Sequence, residues 1–141
     1  YTDKLVDEKG NFYKDTDFKI RKNSINLIIN ELKKNNKKIY LIGPIEIPNE
    51  YIALNLSREI VFKNKENYKL FRPIKIFEKR YSEIIDFYEK KLKKNFFQPH
   101  KILCDKLKCY FADQEGSFFS DRNHLSYYGS MKMEVFFDNI N

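Results

Sequence analysis

The chain has 141 residues, 42% hydrophobic and 16% aromatic, enough for one ordinary domain with its own core; no apolar run nears the roughly 18 residues that cross a bilayer. No signal-peptide pattern is present, and a chain that opens on Tyr1 instead of Met reads as a processed product or a fragment, with any targeting signal upstream. The net charge of +7 admits an anionic partner, but the lysines fall in small clusters (Lys33-Lys34, Lys37-Lys38, Lys90-Lys91, Lys93-Lys94) near the ends of amphipathic segments, where cations favour the helix dipole, so a solvated face is expected and no nucleic-acid partner.

Residues 1–17 are polar and mixed and read as a loop. Asp15 or Asp17 is placed to cap a helix over about 18–35, whose Ile25, Ile28, Ile29 and Leu32 follow the spacing of one buried face. The apolar run Lys38–Ile42 then predicts a strand that ends at Gly43-Pro44. Helix, turn, strand and Gly-Pro break together give the rhythm of an α/β unit with a parallel sheet. Residues 44–76 are punctuated by Pro44, Pro48 and Pro73, with a short helix expected over 52–60. A clearer helix spans about 77–94, with Phe77, Tyr81, Ile84, Ile85, Tyr88 and Leu92 on one face. Short strands are expected at 101–103 and 110–112, and a last helix over 126–140 with Ser126 as its N-cap. Helices with so few short strands are thin for an α/β domain, whose sheets usually hold about five, so part of the domain is expected to be missing.

The densest polar cluster is Ser120-Asp121-Arg122-Asn123-His124-Leu125-Ser126. A carboxylate and an imidazole three apart on a turn can hydrogen-bond, which fixes the tautomer and leaves the second ring nitrogen to accept a proton. Imidazole suits that work because its ordinary pKa, about 6.5, lies near neutrality. Spacing alone leaves the plainer reading open, in which Asp121 caps the last helix and His124 sits on the surface. Cys104 and Cys109, the only cysteines, leave open a small disulfide loop or two reduced thiols; with two distant His they make no convincing zinc site. His100 beside Pro99 reads as structural. Nothing in the spacing pairs Glu46 or Glu50 with Asp121, and Tyr127 and Tyr128 are aromatics suited to stacking on a sugar, Tyr128 more simply a core residue.

The stretch from Cys104 and Cys109 through Phe119-Ser120-Asp121 and His124-Leu125-Ser126-x-x-Gly129 resembles the last block of SGNH hydrolases. More narrowly, it is similar to the SGNH domain fused to integral-membrane sugar O-acyltransferases of the acyltransferase-3 type. The strand ending in Gly43-Pro44 is similar to one found upstream in the same domains. The resemblance implies a three-layer, flavodoxin-like α/β fold present as its C-terminal portion, a disulfide between Cys104 and Cys109, and a catalytic pair of Asp121 and His124. It implies no metal or organic cofactor. Its nucleophilic Ser belongs to a Gly-Asp-Ser block, and its oxyanion hole to a Gly and an Asn from two further blocks; none of these is in the 141 residues. The implied activity is transfer of an acyl group, acetyl above all, to an extracytoplasmic (periplasmic) glycan, with a transmembrane acyltransferase domain upstream delivering the donor. The rivals are a secreted or periplasmic esterase of the same chemistry and a non-enzymatic basic binding module. The resemblance further implies that Asp121, His124 and Gly43-Pro44 share the edge of the sheet where open α/β sheets place their sites, with one His124 nitrogen facing a cleft.

Overall fold

The computed structural model describes residues 4–6, 12–14, 19–62 and 70–138. The chain divides into two compact units, Tyr1–Leu41 with Glu83–Phe96 and Ile42–Ser82 with Phe97–Asn141. It carries β1 (Lys4–Val6), β2 (Phe12–Lys14), α1 (Lys19–Lys34), β3 (Leu41–Ile42), α2 (Ile52–Phe62), β4 (Phe71–Pro73), α3 (Ile74–Leu92), β5 (Phe96–Phe97), α4 (His100–Leu103), β6 (Lys108–Tyr110) and α5 (Tyr127–Met131), with 3-10 turns at Lys93–Asn95 and Glu134–Phe136. Helices and strands are mixed as an α/β fold requires, but the strands form three two-stranded pieces, β1-β2, β3-β5 and β4-β6.

In the first unit, β1 and β2 pair antiparallel, with Leu5 opposite Tyr13. This hairpin was not expected, because three-residue strands are too short for an alternating pattern to register. The caps proposed at Asp15 and Asp17 lie outside the described residues, as does Ile140. On α1 the buried stripe is rotated from the expected one: Ile29 is buried and Ile25 half-buried, while Ile28 and Leu32 are exposed. Lys22 lies on the same stripe and pairs with Glu83 of α3. The helix ends at Asn36, whose φ of 54° is left-handed; Asn tolerates that region, and the turn closes with Lys37 N–H donating to the Leu32 carbonyl at 2.9 Å. Ile84, Ile85 and Leu92 supply further buried apolar surface, as the spacing along 77–94 predicts, and Phe96 of β5 adds to it.

The second unit is built on Ile52, Leu103, Phe111, Ala112, Phe118, Phe119 and Met133, with Phe111 and Phe119 packed edge to face. Strands β4 and β6 pair antiparallel, Arg72 opposite Cys109, and the disulfide joins Cys104 to Cys109, the middle residue of β6. Closing so short a loop stabilises by about 2 kcal/mol in the chain-entropy picture. Glu46, three residues after Gly43, is buried and its Oε1 accepts from both Arg72 and Arg80, the latter at 3.0 Å. Glu46 is thus a structural anchor, and Glu50 accepts from Asn55 Nδ2 at 2.7 Å. Gly43 donates its N–H to the Phe97 carbonyl at 2.8 Å.

Three expected elements differ. Residues 101–103 are helical, not a strand: Pro99 takes φ −58°, ψ −29° and caps α4, and two apolar residues carry too little period to separate helix from strand. The strand expected at 110–112 is centred earlier, on Lys108–Tyr110, with only an isolated bridge from Ala112 to Ser117 beyond it. The last helix is broken after Met131 and resumes as a 3-10 turn, since Met133 N–H reaches back three residues to the Ser130 carbonyl at 2.9 Å.

Candidate active site

The segment 117–129 is held from both sides before any polar chemistry enters. Phe118 and Phe119 are both buried, Phe119 fully, so the chain must turn sharply to carry the polar residues that follow. Phe119 bridges Leu125, and the turn between them is closed by Ser120 N–H to the His124 carbonyl and Ser126 N–H to the Phe118 carbonyl, both 2.9 Å. Ser126 is the N-cap of α5: its hydroxyl accepts from Gly129 N–H at 2.9 Å and donates to the Ser117 carbonyl at 2.6 Å. Gly129 allows this seat, because a Cβ there would stand 2.1 Å from the Phe118 carbonyl oxygen. The far side of α5 is tied down through Tyr128, whose hydroxyl lies 2.8 Å from Asp113 Oδ2, while Lys132 Nζ lies 2.9 Å from the same oxygen. The Leu-Ser-x-x-Gly part of the motif is therefore architectural.

Within the turn, Asp121 Oδ1 accepts from the Asn123 and His124 backbone N–H groups at 2.7 and 2.8 Å. Its Oδ2 lies 2.7 Å from His124 Nδ1. The Asn123 amide, then the His124 ring and amide, hold the Asp121 carboxyl down at about 2. An ionised carboxylate only accepts, so Nδ1 carries the proton and donates it, and in the neutral ring Nε2 is the basic nitrogen. The ring is 77% exposed, and Nε2 has no partner among the described residues. The two expected site residues are thus brought together, and the amides that Asp121 also takes belong to its own turn and not to α5.

Three further placements bear on the chemistry. The Ser117 hydroxyl donates to the Phe119 carbonyl at 2.7 Å and that of Ser120 to the His124 carbonyl at 3.2 Å; with Ser126 serving as cap, none of the three donates to the His124 ring. A groove of about 1030 Å³ lined by Leu56, Ile60, Leu70, Ile102 and Phe118, among others, lies in this unit, and Asp121 and His124 are outside its lining. Arg122 stands over the Tyr51 ring, 4.9 Å from its centroid, a pairing no sequence signal announced because the two residues are far apart in the chain. His100 packs its ring 4.8 Å from that of Phe77, as a structural residue would.

Among the described residues no helix is long and apolar enough to cross a membrane and no His, Cys, Asp and Glu side chains group to hold a metal ion. No curated protein and no solved structure matches the chain. The family model described as "SGNH domain (fused to AT3 domains)" matches residues 2–139. That description supports an SGNH hydrolase-like part of an acyltransferase, esterase or acyltransferase chemistry as a class, and a membrane-anchored protein with a transmembrane acyltransferase partner domain. With a match over nearly its whole length, the chain belongs to the SGNH domains of acyltransferase-3 fusion proteins.

Proposed function

We propose that Asp121 and His124 are the acid–base half of a Ser-His-Asp site that transfers an acyl group, acetyl above all, to a periplasmic glycan. One observation carries this reading: Asp121 Oδ2 fixes His124 Nδ1–H at 2.7 Å on a ring that is 77% exposed, which leaves Nε2 as the basic nitrogen. A serine hydroxyl outside the 141 residues gives its proton to Nε2 as it attacks the acyl carbon. His124 then returns that proton to the leaving group, takes one from the sugar hydroxyl as it attacks the acyl-enzyme, and gives it to the departing serine oxygen. Asp121 holds the tautomer and stabilises the imidazolium without itself taking the proton. An esterase would run the same steps with water as the acceptor, and the exposure of the His124 ring suits either acceptor; the product, acylated glycan or free acid, separates them.

The test uses the full-length protein with its membrane partner domain. His124→Ala lowers kcat for acyl transfer by about a thousandfold or more, and Asp121→Asn by at least tenfold, with the fold intact by circular dichroism. Wild-type turnover in a folded His124→Ala variant would remove the dyad from the mechanism.

A further inference from the structure

Beside the dyad sits a charged group with no assigned work. Ile52 is buried in the same cluster as Phe119, and this packing carries the start of α2 up to the 119–125 turn. The next residue back, Tyr51, is 51% exposed and lies under the Arg122 guanidinium. Arg122 is two residues from His124 and is exposed. It makes no ion pair among the described residues, and both oxygens of the neighbouring Asp121 carboxylate are taken within the turn. An arginine stays charged at any working pH and presents a planar fork that fits a carboxylate or a phosphate through two hydrogen bonds. Stacking on the Tyr51 ring restrains that fork, so less freedom is lost when a ligand docks. Tyr127, 83% exposed at the first position of α5, adds a second open ring of the kind that covers a sugar face.

We propose that Arg122, seated on Tyr51, is a specificity-determining residue that selects an anionic acceptor glycan by pairing with its carboxylate or phosphate. The inference rests on the acyl-transfer reading of the neighbouring dyad and names the substrate class for it. The net charge of +7 favours the same sign of ligand at longer range.

The test is equilibrium binding, which needs no turnover. Full-length protein is titrated by calorimetry with a galacturonic acid oligosaccharide, a phosphorylated galactose oligosaccharide and a neutral galactose oligosaccharide of equal length. At least one charged ligand binds about tenfold or more tightly than the neutral one, the size of a single charge-assisted pair. Preference for the uronate assigns a carboxylate, and preference for the phosphorylated ligand assigns a phosphate. Arg122→Gln abolishes the preference, and Arg122→Lys restores part of it, since an ammonium keeps the charge and loses the fork. Equal affinities, no binding of any ligand, or an unchanged preference in Arg122→Gln overturns the proposal. A charge preference in a protein whose His124→Ala variant stays fully active removes the dyad alone. Acyl transfer lost in His124→Ala with no charge preference removes the Arg122 role alone.

Discussion

Both oxygens of Asp121 are committed inside its own turn, and this decides how the site responds to acid. With its carboxyl held at about 2 by the Asn123 amide and by the His124 ring and amide, the folded value lies below the ordinary one of about 3.9. The turn's stabilisation is therefore present above about pH 4 and lost as the pH falls through 2. A carbon-detected titration of the Asp121 carboxyl by NMR is expected to show a midpoint near 2, and an ordinary midpoint would mean that the turn is open in solution. Any acid limb of activity above about pH 3 then belongs to a group other than Asp121. Gly129 makes a second expectation at this scale. Gly129→Ala forces its new methyl into the Phe118 carbonyl, which only a backbone shift relieves; destabilisation of about 2 kcal/mol or more is expected, measured by urea unfolding. Of the site, the contact of Asp121 with His124 was legible through the family resemblance, since the spacing alone fits a helix-capping Asp121 and a surface His124 equally well. The stacking of Arg122 on Tyr51 was not, since it depends on how α2 is carried to the turn.

At the scale of elements, α3 was readable almost face for face, because nineteen helical residues repeat their apolar spacing several times. Of the two- and three-residue strands only β3 (Leu41–Ile42) was foreseen in place, from the apolar run before Gly43-Pro44; the others offer less than two alternations each. β4 illustrates the point: Phe71-Arg72-Pro73 has no pattern of its own, and its position is set by pairing with β6 and by the buried carboxylate of Glu46. That anchor is open to test. Glu46→Ala leaves Arg72, whose side chain is only 14% exposed, without its carboxylate, and losing one partner of a buried pair costs about 3 kcal/mol. Thermal unfolding should shift accordingly, while Arg80→Ala, which removes the more exposed partner, costs less than about 1 kcal/mol. Equal effects would mean that the carboxylate is held mainly from α3 and not from β4.

For the whole molecule, the proposed function implies a division of labour between the 141 residues and the rest of a full-length protein. Nucleophilic catalysis needs a serine whose hydroxyl reaches the base and oxyanion donors aimed at the developing charge, and the donors alone are worth about 3 to 4 kcal/mol. Ser117 and Ser130 are the serines that follow a glycine, and neither stands in a Gly-Asp-Ser sequence; the Ser117, Ser120 and Ser126 hydroxyls are bound to backbone carbonyls. An exposed imidazole still catalyses weakly by itself, so the informative comparison is between variants. The 141-residue chain is expected to hydrolyse p-nitrophenyl acetate no faster than a peptide carrying a free histidine, with no burst of acyl-enzyme. Adding the rest of the full-length protein is expected to raise the rate by orders of magnitude, and His124→Ala to abolish that gain. A burst from the isolated chain that survives Ser117→Ala but not Ser120→Ala would instead place the nucleophile in the turn itself, where the Ser120 hydroxyl would have to leave the His124 carbonyl to reach the ring.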